Sequence, residues 1–129
     1  MSDRLEFGNL TAAVDSDTYQ FNFVKLHSTA GQFTLSTAAS APQIFGVLQN
    51  DPRAGEAGTI VTAGKTKVKG DASGTAITYG CLLTCGSTGE ALIATGSVAN
   101  GIALEALASG ACVLIDMYLF PTVLSVIAN

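Results

Sequence analysis

Short apolar runs recur along this chain of 129 residues, and a glycine-bearing cluster interrupts almost every one of them. That rhythm constrains the fold more than any other feature. A packed helix needs apolar residues at spacings of three and four, sustained over ten or more positions, and such stretches are nearly absent. Strands are expected instead at residues 19–26, 32–36, 44–48, 59–62, 66–68, 75–78, 81–84, 91–94 and 112–119. In the first of these the alternation puts Tyr19, Phe21 and Phe23 on one face. Between the runs lie turn formers such as Ala30-Gly31, Asn50-Asp51-Pro52, Ala63-Gly64, Gly86-Ser87-Thr88-Gly89 and Ser109-Gly110. Many short strands with turn signals every 8–12 residues or so predict an all-β fold, a small single-domain barrel or sandwich.

Two segments could break that pattern. Residues 36–41 are rich in Ala and Ser and stop before Pro42, while residues 102–108 contain strong helix formers followed by Gly110. The second is read as strand because of an internal similarity. Phe45-Gly46-Val47-Leu48, a small-residue turn and Thr59-Ile60-Val61 match Asn100-Gly101-Ile102-Ala103, a small-residue turn and residues 111–115. Both are a glycine, an aliphatic strand, a turn and a second aliphatic strand, as a duplicated hairpin would give. Residues 1–18 show no strong pattern and are expected as an extended N-terminal arm, with residues 19–129 forming the β domain.

The small side chains fit this reading. Ala, Gly, Thr and Ser supply 57 residues, and charged residues are only 12 %, about half the usual share of roughly 25 %. Disorder is excluded by a mean hydropathy of +0.42. The net charge of −4 argues against direct nucleic-acid binding, which rests on basic patches. The longest apolar stretch, near the C-terminus, is interrupted by Asp116 and Pro121 and is too short for a membrane-spanning helix. The first residues carry no apolar run, so no secretory signal is expected, and synthesis in a cytoplasm with reduced thiols follows. Cys81, Cys85 and Cys112 are then small buried hydrophobes rather than metal ligands, since no His lies near them in sequence. So sparse a set of charges gives an exposed surface little to keep it monomeric.

Catalytic patterns are weak. Gly70-Asp71-Ala72-Ser73-Gly74 resembles the nucleophile motif of chymotrypsin-like proteases, and His27, Asp51 and Ser73 follow that order. The inserted Ala72 breaks the backbone geometry that presents nucleophile and oxyanion donors together, so a polar turn is the better reading. His27, the only histidine, has no indicated partner and reads as a strand-end or interface residue. Asp15 with Asp17, and Asp51 with Glu56, are too sparse for a calcium loop and read as solvated loop acids. No phosphate-binding glycine loop is present. No catalytic, cofactor or metal residue is therefore assigned.

Two features point to binding. Lys65, Lys67 and Lys69 are half of the chain's six cations, and a spacing of two sets all three on one face of a strand. They could form a solvated face, guard an edge strand against aggregation, or dock on an acidic partner. The apolar tail of residues 118–129 includes Leu119, Phe120, Val123 and Leu124 and must pack on its own barrel or on a neighbour.

The order of motifs over residues 33–119, about two-thirds of the chain, resembles the capsid decoration, or cement, proteins of tailed bacteriophages. The resemblance runs through Gly-Val-Leu-Gln-Asn-Asp-Pro (46–52), Ala-Gly-Glu-Ala-Gly (54–58) and the lysine-bearing strand 59–69. It continues with Tyr-Gly-Cys-Leu-Leu-Thr (79–84), Thr-Gly-Glu-Ala (88–91), Gly-Ile-Ala-Leu-Glu-Ala (101–106) and the strand 113–119. Two departures stand out: Gly80-Cys81 where the family usually has Gly-Asp, and residues 120–129 beyond the usual end.

The resemblance implies a β-clip, β-tulip or jelly-roll fold and a non-enzymatic virion protein. Its expected place is the outer surface of the assembled head, as a homotrimer or homodimer bridging neighbouring major capsid subunits. An arm that pairs with a capsid strand occurs in such proteins, and residues 1–18 are the segment that would correspond. The expected contacts are Tyr19, Phe21, Phe23, Leu119, Phe120, Val123 and Leu124, with Lys65, Lys67 and Lys69 at the rim. The alternatives are a receptor- or glycan-binding β module of a fibre, which the lack of Trp disfavours, and a dUTPase-like enzyme similar in fold alone.

Overall fold

A computed structural model describes residues 4–37, 44–94 and 99–120. Over these residues the secondary structure is all β: β1 (Arg4–Ala12), β2 (Phe23–Leu26), β3 (Gln32–Leu35), β4 (Ile44–Leu48), β5 (Ala57–Lys69), β6 (Leu82–Cys85), β7 (Ala91–Ile93), β8 (Gly101–Ala103) and β9 (Leu114–Leu119). The strand order is β1-β3-β2-β4-β5-β9-β8-β6-β7, and an additional β1–β5 pairing returns the first five strands on themselves. The result is a closed five-stranded barrel from which a second sheet, β9-β8-β6-β7, extends along β5. The expected all-β barrel is what forms.

β5 joins the two parts. Its first half pairs with β1 on one side and β4 on the other, and from Gly64 to Lys69 it pairs with β9. The change of partner falls at Gly64, where φ is +103°, a value that side-chain-bearing residues rarely adopt. Ala63-Gly64 reads in sequence as a turn between two strands. In the structure it is a distortion inside one thirteen-residue strand, which bends there to leave the barrel and enter the second sheet.

Two cores result. Leu10, Ala12, Val24, Phe33, Leu48 and Ile60 fill the barrel. A larger cluster that includes Phe23, Val47, Val61, Val68, Ile77, Leu83, Ile115, Met117 and Leu119 lies between the barrel wall and the second sheet. Neighbouring residues of one strand enter different cores: Phe23 and Val24, Val47 and Leu48, Ile60 and Val61. Strands buried on both faces need continuous apolar pairs, and the sequence supplies them at these three places.

The strand expected over residues 19–26 begins only at Phe23. Phe21 has φ +67°, and the Asn22 N–H donates to the Tyr19 carbonyl at 2.9 Å, so the chain turns before it extends. Tyr19, Phe21 and Phe23 consequently share no face. The segment expected as an arm is extended over Arg4–Ala12, where it is a strand of the sheet, and its pairing with β5 closes the barrel. Leu10 and Ala12 are buried, and Ser16 is tied down by its N–H to the Pro52 carbonyl at 2.8 Å. Of the two helix candidates, residues 102–108 begin in β8, and Leu107 forms a bridge with Ile77. Most of residues 36–41 lie outside the described residues.

Of the expected repeat, residues 47–48 pair with 60–61 in the β4–β5 ladder, whereas residues 101–103 pair with 117–119 rather than with 111–115. A closer counterpart to residues 101–113 is residues 70–83. Ile77 and Leu107 exchange backbone hydrogen bonds of 2.9 and 2.8 Å. Around them Ala72 N–H to Ala111 O is matched by Ala103 N–H to Cys81 O, and Gly110 N–H to Ala72 O by Gly80 N–H to Ala103 O. Such reciprocal exchange is the mark of a local twofold relation between the two segments.

Candidate docking face

Along the second half of β5, exposed Lys65 and Lys67 and half-buried Lys69 alternate with buried Thr66 and Val68. The strand carries neighbours on both sides. β9 runs along residues 64–69, and on the opposite side the Lys69 N–H donates to the Phe21 carbonyl at 2.8 Å. Over residues 65–68 the ladder among the described residues lies on the β9 side alone.

Register then determines what faces them. Lys65 pairs with Tyr118, Tyr118 with Ile102, and Ile102 with Leu82, which makes one row across β5, β9, β8 and β6. Lys67 pairs with Asp116 and Lys69 with Leu114. The inward residues between them, Ile115, Met117 and Leu119, are buried, and so the row faces solvent. Tyr118 is 46 % exposed and Leu82 47 %, large values for apolar side chains in the middle of a sheet. The Phe120 ring meets Tyr118 edge-on, with centroids 6.4 Å apart.

The charges on this face are unequal. Lys67 Nζ donates to Asp116 Oδ1 at 2.9 Å, and the Asp116 N–H donates to Glu105 Oε1 at 2.7 Å. The Lys67 hydrogen bond holds the Asp116 carboxyl below its ordinary value, and the same contact raises the Lys67 ammonium above its own. Among the described residues Lys67 is the one lysine of the three in an ion pair. Lys65 and Lys69 keep their charge available to a partner.

The expected contact residues divide. Phe23 and Leu119 are core residues, 0 % and 2 % exposed, and cannot touch a partner without unfolding. Phe23 is buried because its strand has a core on each face, and Leu119 because it lies on the inward face of β9, next to outward Tyr118. Tyr19 packs on the barrel core, Phe21 is half-buried, and Phe120 is half-buried beside Tyr118. Val123 and Leu124 lie outside the described residues. Ile102, Leu82 and Leu114 were not singled out in sequence. The alternation of residues 114–119 contains the signal for Leu114 and Tyr118, whereas Leu82-Leu83 has two possible phases.

Other polar groups serve the fold. Asp71 Oδ1 accepts from the Ser73 N–H at 2.9 Å, forming the polar turn expected in place of a nucleophile motif, and it also accepts from Cys112 Sγ at 3.4 Å. Asp15 accepts from the Ala54 N–H and Glu56 from the Arg53 N–H. His27 Nδ1 accepts from the Thr29 N–H at 3.0 Å, at the rim of an open depression it shares with Lys25, Ser28 and Thr34. Cys85 is buried, with its thiol pushed up to about 11, while Cys81 is half-buried and Cys112 exposed. Among the described residues, no three His, Cys, Asp or Glu are grouped to hold a metal ion.

The fold is similar to that of the head fibre gp8.5 N base of bacteriophage phi29. The TM-score is 0.63 at 20 % identity, over 92 % of this chain and 95 % of that one. No curated protein matches the chain. Residues 8–117, which span both the barrel and the second sheet, match the phage cement proteins; the chain belongs to that family and is a structural component of a phage virion.

Proposed function

We propose that the protein binds the outer surface of the assembled phage head and bridges neighbouring major capsid subunits, without catalytic activity. The observation that carries this reading is the family match over residues 8–117. A cement protein stabilises a shell by mass action: binding the assembled lattice more tightly than any looser state shifts the equilibrium towards the lattice. One protomer's contact is modest. Two or three protomers joined as a homodimer or homotrimer make the later contacts intramolecular, and avidity then gains roughly 10²–10⁴. Lys65 and Lys69, on either side of the Asp116-paired Lys67, supply electrostatics at the contact with the major capsid protein, and nucleic acid inside the shell takes no direct part.

The test is to mix the purified protein with expanded heads of the same phage assembled without it, then measure co-sedimentation and the temperature at which heads rupture. Saturable binding with a raised rupture temperature is expected. No saturable binding would overturn the proposal.

A further inference from the structure

We infer that the outer face of β5-β9-β8-β6 is the surface that docks on the shell. Tyr118, Ile102 and Leu82 form its apolar centre, and Lys65 and Lys69 meet carboxylates of the partner. The inference rests on the capsid-binding reading and adds to it the face and the chemistry of its counterpart.

Register is the first support. Other exposed apolar side chains do not form such a row: Leu5, Phe7, Val14 and Leu26 are spread over the barrel part, where Phe7 already stacks edge-on with Phe45 at 5.5 Å, and Tyr79 and Val113 lie in the segments before β6 and β9. Tyr118, Ile102 and Leu82 instead stand side by side on three adjacent strands. Strands lie about 4.8 Å apart, so the three make a continuous rib roughly 10 Å long. An exposed Tyr beside aliphatic side chains is the composition of interface hot spots.

Charge is the second support, and it selects the partner. Lys65 and Lys69 flank Lys67, which Asp116 has already neutralised. Two cations without an ion pair among the described residues therefore stand along β5 at the margin of the face, Lys65 at the end of the rib and Lys69 about 13 Å further on at 3.3 Å per residue. A surface with an apolar centre and carboxylates along one side complements them. A second copy of this chain fits less well. Five of its ten carboxylates, those of Asp15, Glu56, Asp71, Glu105 and Asp116, already accept hydrogen bonds from their own chain.

The experiment uses undecorated heads, with the wild-type protein and four variants. Tyr118→Ala combined with Leu82→Asp should weaken head binding at least about tenfold. Lys65→Ala with Lys69→Ala should weaken it about three- to tenfold and flatten its salt dependence, while Lys67→Ala changes both far less. Leu26→Asp, on the barrel, should bind as the wild type does.

Footprinting of the wild-type protein with hydroxyl radicals keeps the test independent of variant folding: Tyr118 and Leu82 should be protected on heads and Leu26 should not. Saturable wild-type binding with Tyr118 unprotected, or with the Tyr118/Leu82 variant folded and unimpaired, overturns this face and leaves the capsid reading standing. If the wild type does not bind heads at all, both fall. If the Tyr118/Leu82 variant loses self-association in sedimentation but still binds heads, the face belongs to a second copy and the inference is wrong.

Discussion

Lys67 on β5 and Asp116 on β9 are register partners, and Nζ lies 2.9 Å from Oδ1 across the strand pair. Both side chains keep much of their exposure, 52 % and 30 %. Water screens such a pair, so it orients two side chains more than it stabilises the fold. Its effect on titration is nonetheless readable. Asp116 is held below the ordinary carboxylate value of 3.8, and Lys67→Ala should return it towards that value in an NMR pH titration of the carboxyl carbon. A depressed carboxyl contributes stability that is present above its unfolded value and lost as pH falls through its folded one. The wild type should therefore lose this small contribution below about pH 4, and Lys67→Ala should not.

Phe23 separates a core role from a contact role. It is fully buried between the barrel wall and the second sheet. Phe23→Ala should cost about 3–5 kcal/mol in urea denaturation, a large share of the 5–15 kcal/mol or so that such a domain has. A variant of unchanged stability that only bound heads more weakly would contradict this placement.

Phe23 also shows where the sequence could be read and where it could not. Alternation correctly set Lys65, Lys67 and Lys69 apart from Thr66 and Val68, because one regular strand holds all five. The same rule applied to Tyr19, Phe21 and Phe23 failed, since Phe21 at φ +67° breaks the period that the rule assumes. Gly64 failed in the opposite sense: a positive-φ glycine looks alike in a turn and in a bent strand, and only the partners on either side tell them apart. The row from Lys65 to Leu82 joins four strands far apart in sequence. No local pattern encodes that register.

Gly64 is required by its backbone. At φ +103° a branched side chain is strained, and β5 must still meet both Arg4 and Leu119 at that residue. Gly64→Val should cost about 1–3 kcal/mol, measured by urea or thermal denaturation. Gly55→Ala, in an exposed loop at φ +86° with open space around it, is the control and should cost less.

Deletion of residues 1–12 tests whether the N-terminal segment belongs to the domain. A free arm could be removed without harm. β1 closes the barrel, and its loss would uncover the residues beside Leu10 and Ala12 and strip β5 of its partner on one side along residues 57–64. The truncated chain should bind a hydrophobic dye, lose its cooperative melt and aggregate. A cooperative melt at the wild-type temperature would return the segment to the status of an arm.

The cysteines should react in an order set by exposure and then by charge. Cys85 is buried and its thiol is pushed up to about 11, so in the folded protein it should resist a disulfide reagent at pH 8. Cys112 is exposed, yet its thiol donates to Asp71, and that carboxylate disfavours the thiolate. Its reaction should be slower than that of a free thiol at the same pH. Asp71→Asn removes the charge while keeping an oxygen in place for the Ser73 N–H, and should speed the reaction of Cys112 alone. Peptide mass mapping of the labelled protein reads all three sites at once. A rate at Cys112 that does not change in Asp71→Asn would show that access, not charge, limits it.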